Sequence, residues 1–582
     1  MTDTPDQKGA GALVSIRAAG DHALLVELSS LKAVLSLQAQ LQEAPQQGQR
    51  DVVAAAQTVL ITADSPESLP SLLTALRTMD LSSPPEARGG SVLVPVVYDG
   101  EDLDEVSDLL GLAREAVIAA HTGQIWTAAF IGFAPGFAYL RGEDDRLEVP
   151  RHATSRTAVP AGSVALGGQY SAIYPRQSPG GWQLIGRSDA VLWDLDREQP
   201  ALIRPGDTVR FEAVRAQAAL RREGAGVGLD AVRATAETDV PATGLLVRGT
   251  GLQSTIQDLG RPGIAALGVS AAGAMDRASL RQANRVVGNA EDAAGVEVLN
   301  GGLVLEALSD QVLAVAGAPV PLTITGEPAD SLGLGRASAA PRPFTPRTPN
   351  VAAPFALLAG ERLTLGQPTS GLRSYLAVRG GLGGPAVLGS RSTDTMSGIG
   401  PQILAVGSQL EVLPIVSGQS VGFPEVPLRG TPGSQIVTLR VVPGPREDWF
   451  SGRAWQDLLE QDWTVTPQSN RIGIRLSGRP LERIRPGELA SEGTVRGALQ
   501  VSPSGQPTLF LADHPVTGGY PVIAVVVEAD LDRAAQLRPG ESIRFVPVAA
   551  PVEFKPSDVG LIDVSTRTVK HSRGSHHDHN FA

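Results

Sequence analysis

The stretch Gln169–Phe211, QYSAIYPRQSPGGWQLIGRSDAVLWDLDREQPALIRPGDTVRF, returns near the end of the chain as Gly505–Phe545, GQPTLFLADHPVTGGYPVIAVVVEADLDRAAQLRPGESIRF. In both, an apolar strand meets a Gly-Gly-aromatic turn: Gly180-Gly181-Trp182 and Gly518-Gly519-Tyr520. A second apolar strand and an acidic connection follow. Pro-Gly-acid then opens a last strand (Pro205-Gly206-Asp207; Pro539-Gly540-Glu541). Matching turns in matching order mark one β-rich unit used at least twice. Any chemistry is expected at the seam between the copies or on these turns.

The rest of the chain frames that repeat. Its 582 residues suffice for several domains. The high Gly (65) and Pro (44) contents show no short period, so they read as turns in a mainly β protein. A net charge of −12 without basic clusters argues against nucleic acid and against an anionic membrane surface. The absence of cysteine excludes disulfides, thiolate nucleophiles and cysteine-held metals. Lysine occurs only at Lys8, Lys32, Lys555 and Lys570. The body between them therefore has no Schiff-base, Walker or biotin-carrying lysine, and anions there fall to arginine, backbone N–H groups or a metal. The N-terminus shows no signal-peptide pattern and no run approaches a membrane span, so a cytoplasmic location is expected.

Residues 1–11 read as disordered, and residues 12–90 as an α/β domain of order β-β-α-β-α. Residues 91–213 carry a helical stretch and then short strands, expected to close into a small barrel. Residues 214–243 read as a linker, 244–428 as a β domain with a Pro-rich exposed loop at 339–354, and 429–550 as a second barrel. A tail follows at 551–582. Its His576, His577 and His579 read as a polar disordered end before a metal site.

Several clusters carry candidate chemistry, each beside a structural reading. His121-Thr122-Gly123 caps a helix, with Gly123 expected in the left-handed conformation and His121 a candidate base. The aromatics of Gly132–Leu140 fill core or wall a pocket. Arg151 and Arg156 suit a carboxylate or phosphate, or are two solvated loop arginines. Gln257, Asp258, Arg261, Asp276 and Asn284 surround a Gly-rich loop and orient a ligand or hold turns. Gly389–Asp394, with Arg391 and Asp394, offers hydroxyls, a guanidinium and a carboxylate for an anion, or starts a capped helix. Asp513 and His514 could act as acid and base, although neighbours in a strand face opposite ways.

These residues resemble a known family. HTGQIWTAAFIGFAPGFAYLRG, PRHATSRTAVPAGSVALGG and IYPRQSPGGWQLIGRS are similar to the PxpB (KipI) component of 5-oxoprolinase. GLQSTIQDLGRPG, GAMDRASLRQANRVVGN, YLAVRGGL, GSRSTD, VVPGPREDWF, SEGTVRGALQV and TGGYPVIAVV are similar to its PxpC (KipA) component. The resemblance covers residues 12–548 in family order and implies a fusion of the two. It implies cyclophilin-like β-barrel domains in tandem, with an α/β domain at the start. It also implies a site that opens 5-oxoproline to L-glutamate with ATP and Mg, beside a PxpA-type (LamB/YcsF family) subunit, with no biotin on this chain. Homo-oligomer formation stays open. Alternatives carried with it are a carboxyltransferase related to urea carboxylase and a KipI/KipA-type regulator of a sensor kinase. The catalytic candidates are His121, Arg391, Asp394, Asp513 and His514. The binding candidates are Arg151, Arg156, Gly180, Gly181, Trp182, Gln257, Asp258, Arg261, Asp276, Asn284, Arg471, Glu492, Gln500, Thr517 and Tyr520. No metal ligand is expected among them. The chain departs from the family pattern at Ser155, at Asn470 and at His514-Pro515-Val516.

Overall fold

The computed structural model describes residues 13–81, 89–152, 156–215, 243–326, 346–415, 419–428, 436–487 and 489–552. The N-terminal segment 1–11, most of the linker, part of the Pro-rich loop, Ser155 and the histidines of the tail lie outside them.

The first unit is a four-stranded antiparallel sheet carrying two helices. Leu13–Ala18 and Ala23–Leu28 form the expected hairpin. Ser30 caps the helix Leu31–Glu43 by accepting from the Ala33 N–H. The order is β-β-α-β-β-α, one strand more than expected. The addition, Gln49–Ala54, pairs with Thr58–Ala63 and is bulged near its polar start. That polar start hides its pattern from a period-2 reading.

The two barrels share one topology. In the first, the spatial order is Gln183–Arg187, Ser163–Gly167, Tyr170–Ile173, Ala138–Gly142, Trp126–Ile131, Thr208–Ala213, Ser91–Val96. The bridge Val97–Arg187 joins its two edges. The second is closed, in the order Val522–Val526, Ala498–Val501, Pro507–Phe510, Gly473–Ser477, Trp463–Val465, Ser542–Pro547, Ile436–Pro443. Each strand of one barrel has its counterpart in the other, including the parallel pair between the first and last strands. The match extends to single bonds. Trp126 Nε1 donates to the His121 carbonyl and Trp463 Nε1 to the Leu458 carbonyl, at 2.9 and 3.0 Å. Gly206 and Gly540 hold φ at 89° and 91° with open space around them, so each Pro-Gly-acid turn uses glycine for its backbone conformation alone.

Between the barrels in sequence lie two five-stranded sheets packed face to face around an aliphatic core that includes Val296, Leu305, Leu363 and Leu376. The helix Arg277–Val287 covers the sheet that contains Gln311–Gly317 and Arg373–Val378. Among the described residues no helix is long and apolar enough to cross a membrane.

A candidate site in the cleft between the two halves

The N-terminal sheet, the loop Asp258–Ala271 and the second barrel enclose a cleft of about 520 Å³. That size is typical of small-molecule sites. Three expected residues line it: Asp258, Arg391 and His514. Its other charged walls, Asp21, His22, Arg50, Arg277, Arg496 and Glu528, carry no mark in the sequence that sets them apart. Val53, Leu60, Val495 and Val525 supply an apolar side.

Asp21 Oδ1 and His22 Nδ1 stand 2.8 Å apart. Burial disfavours the charged imidazole, but the Asp21 bond and charge, with Glu528 beyond, outweigh it and hold the His22 pKa above its usual value. The proton shared with Asp21 sits on Nδ1, leaving Nε2 for other chemistry. His514 is the opposite case. Burial pushes its pKa down to about 4. Its Nδ1 lies 2.8 Å from the Pro515 carbonyl, which requires the proton on Nδ1, and its ring stacks on Phe510. It is neutral at working pH. Glu528 Oε1 accepts from both Arg277 Nη1 and Arg496 Nη1, at 3.2 and 3.3 Å. The cost of burying Glu528 is outweighed by these two cations, and its pKa falls.

Other expected residues are structural pillars rather than cleft groups. His121 is fully buried, with Tyr98 Oη at 2.7 Å from Nδ1 and Ser171 Oγ at 2.8 Å from Nε2. Its ring packs on Phe211 and Trp126, and burial drives its pKa to about 3. This overturns the general-base reading, because no substrate reaches a neutral, doubly bonded ring inside the barrel. Gly123 is right-handed (φ −84°), not left-handed. Asp258 accepts from Gly260 N, Arg391 N and the hydroxyls of Ser390 and Ser392. The hydroxyls of Gly389–Asp394 are thus spent on Asp258 rather than on an anion, and no helix starts there. Arg391 still lines the cleft, with Nε on the Gly384 carbonyl.

Asp394 is buried and accepts from Ser270, Ser397 and Met396 N. Burial, then the nearby Asp513 charge, raises its pKa. Asp513 follows the strand Pro507–Phe510 rather than lying in it. Its carboxylate takes two bonds from Arg471, at 2.9 and 2.8 Å, and two from Thr395. Arg471 continues to Glu297 and to the Gly273 carbonyl, tying the second barrel to the middle sheets. Asp513 is therefore not an acid paired with His514. Asn470 caps its own turn through Ile472 N, which its amide oxygen does as well as a carboxylate would. Asp276 caps the helix Arg277–Val287, and Asn284 closes its far end through the Ala293 carbonyl. Gln257 donates to the Thr393 carbonyl. Arg261 is buried against the Ser392 carbonyl, and its Nη1 has no partner among the described residues.

The remaining residues form the seam between the barrels. Thr517 Oγ1 accepts from Phe133 N at 3.0 Å. A Cβ on Gly132 would stand 2.2 Å from that hydroxyl, so only glycine permits the approach. Arg151 lies over the Trp182 ring at 5.5 Å. A Cβ on Gly519 would stand 3.8 Å from its Nη1, so Arg151 reaches the second Gly-Gly turn. Gly180 packs against Tyr174, and Gly181 accepts from His152 N. Gln500 holds the Tyr520 carbonyl, with the Tyr520 side chain exposed. Arg156 binds Asp102, and Glu492 binds Arg446.

Sequence models of two carboxyltransferase units match the chain: subdomains C and D over residues 14–203, and subdomains A and B over residues 267–547. The PxpC-type 5-oxoprolinase component of Haemophilus influenzae is 33% identical over 301 residues, covering 51% of this chain and 89% of that protein. The chain belongs to this carboxyltransferase-domain family. A second family member, the PxpB-type 5-oxoprolinase component of the same organism, is 46% identical over 122 residues, 20% of this chain and 57% of that protein. The crystal structure of TTHA0988 covers 91% of this chain and 100% of its own, at 33% identity and a TM-score of 0.74. The family architecture thus runs through both halves of one polypeptide. Arg277 and Arg496, which no local pattern distinguishes, stand inside GAMDRASLRQANRVVGN and SEGTVRGALQV. Those two family stretches are the signal that could have found them.

Proposed function

We propose that this chain supplies the PxpB and PxpC parts of an ATP-dependent 5-oxoprolinase. It opens 5-oxoproline to L-glutamate together with a separate PxpA-type subunit, with ATP and Mg, in the cytoplasm. One observation carries the reading: relatives named as two different components of 5-oxoprolinase match successive halves of one chain, and both halves wall the same cleft. An unstrained lactam is a poor electrophile. Transfer of the terminal phosphoryl group of ATP to the lactam oxygen would give a leaving group at that carbon. Water then adds to the carbon, phosphate leaves, and cleavage of the C–N bond opens the ring. Water attack needs a base near neutrality. The Asp21–His22 pair suits that role better than His514, whose lowered pKa makes it a weak acceptor.

The test is ADP release by the purified chain with its PxpA-type partner. The expected result is release only when 5-oxoproline is present; release indifferent to 5-oxoproline overturns the reading. Membership of the carboxyltransferase-domain family favours one second reading, carboxyl transfer from biotin. Without lysine between positions 32 and 555, that biotin arrives on another chain, and capture of a biotinylated carrier protein would support it.

A further inference from the structure

Arg277 opens the helix Arg277–Val287, and Arg496 sits in the turn before the strand Ala498–Val501. They come from opposite sides of the cleft, yet both bind the same Glu528 oxygen. The Arg496 side chain is 10% exposed and the Arg277 side chain 19%. Arg496 spends its second Nη on the Met275 carbonyl. Both Nε atoms are buried with no partner among the described residues, and there Arg277 Nη2 has none either. Two desolvated guanidinium groups thus share one carboxylate. Burial and the neighbouring Arg496 charge lower the Arg277 pKa to about 10, against the pull of Glu528. The group is left about one negative charge short, and unpaired buried charge of this kind is costly unless a ligand completes it.

We infer that Arg277 and Arg496 form a subsite for the carboxylate of a small monoanionic ligand whose apolar body lies against Val53, Leu60, Val495 and Val525. The charge decides the class. Arg277, Arg496 and Glu528 together carry one net positive charge, which one carboxylate neutralises and a phosphoryl dianion would overshoot. The apolar wall suits a hydrocarbon ring beside that carboxylate, and arginine's planar fork suits two carboxylate oxygens. The inference rests on the reading above for the ligand's identity, 5-oxoproline, whereas the subsite itself rests on the cleft.

The test is isothermal titration of the full chain with 5-oxoproline, with 2-pyrrolidone, which lacks the carboxylate, and with inorganic phosphate. The expectation is that 5-oxoproline binds, that 2-pyrrolidone binds about tenfold more weakly or worse, and that Arg277→Gln and Arg496→Gln each cost 5-oxoproline about tenfold or more. Should either variant fold poorly, Thr62→Trp fills the cleft from the sheet side and is expected to abolish binding with both arginines intact. Binding of 5-oxoproline unchanged in the arginine variants, equal binding of 2-pyrrolidone, or no binding to the wild-type chain overturns the subsite. Arginine-dependent binding of phosphate without 5-oxoproline overturns the carboxylate assignment in favour of a phosphoryl group. Arginine-dependent 5-oxoproline binding in a chain whose ADP release ignores 5-oxoproline leaves the subsite standing and removes the proposed function. Turnover with an unchanged KM in both variants does the reverse.

Discussion

Three histidines of the body separate by environment alone. His22 shares a proton with Asp21 at the cleft, whereas His121 and His514 are held neutral by burial. Removing a general base typically costs 10²–10⁴-fold, so His22→Gln should lower kcat by about 100-fold or more while leaving the thermal midpoint nearly unchanged. The wild-type rate should rise with pH through a pKa above 6.5, because a base acts deprotonated and the carboxylate partner raises that pKa. An unchanged rate profile in the variant would remove His22 from the site. The buried pair makes a different prediction. Folded His121 and His514 titrate near 3 and 4, whereas an unfolded histidine titrates near 6.5. Between those values the unfolded chain binds more protons. Stability from this source is therefore complete above the unfolded pKa and is lost as pH falls towards the folded values, by about 1.4 kcal/mol per pH unit for each histidine. Urea midpoints measured from pH 7 to pH 4.5 should show this slope. His121→Gln should roughly halve it and, by loosening the barrel core, should lower stability by about 2–4 kcal/mol at pH 7.

The repeated element keeps its backbone and exchanges its chemistry. Asp102 N donates to the Leu184 carbonyl and Arg446 N to the Val522 carbonyl, so the two residues hold the same place. Their partners also correspond: Arg156 lies opposite Gly180, and Glu492 lies opposite Gly518. One barrel thus ties its Gly-Gly turn with acid to base and the other with base to acid. The pair braces the turn in either polarity, which is why Glu492 and Arg156 are bracing residues here. The Pro-Gly-acid turns carry a matched prediction. Gly206→Ala and Gly540→Ala each place a side chain in the left-handed region with nothing to clash against. Each should cost about 1–2 kcal/mol, and the two costs should agree within experimental scatter. Differential calorimetry of the two variants checks this, and a large cost at one site alone would contradict the equivalence of the turns.

At the scale of the molecule, the N-terminal sheet clasps the second half. Asp51 accepts from Gly263 N and Ala265 N, Arg446 reaches Glu27, Asp21 accepts from Glu528 N, and Arg17 pairs with Asp448. Relatives of the two halves are separate proteins, so this interface replaces a contact between separate chains. A chain divided between Arg215 and Gly244 should therefore reassemble. The two fragments, co-expressed, should co-purify, and Asp51→Ala should weaken their association about tenfold or more by leaving two backbone donors unpaired. Fragments that separate on size exclusion would show that the covalent link is what holds the halves together.

The sequence by itself determined the repeat, the mainly β character, the opening hairpin and its capped helix, and the turns that carry Gly-Gly and Pro-Gly. These depend on neighbours a few residues apart, where periodicity and turn stereochemistry act directly. It also pointed to the residues that hold the architecture, but it could not separate pillars from cleft groups. Asp258, Asp394, Asp513 and Arg471 look like chemistry when read along the chain, and burial with saturated hydrogen bonds makes them structure. Only the tertiary structure decided the cleft. His22, Arg277, Arg496 and Glu528 come from distant parts of the chain, and no short-range pattern records their meeting. Their charges matter because the fold removes water from around them, and desolvation belongs to the packed whole rather than to any stretch of residues.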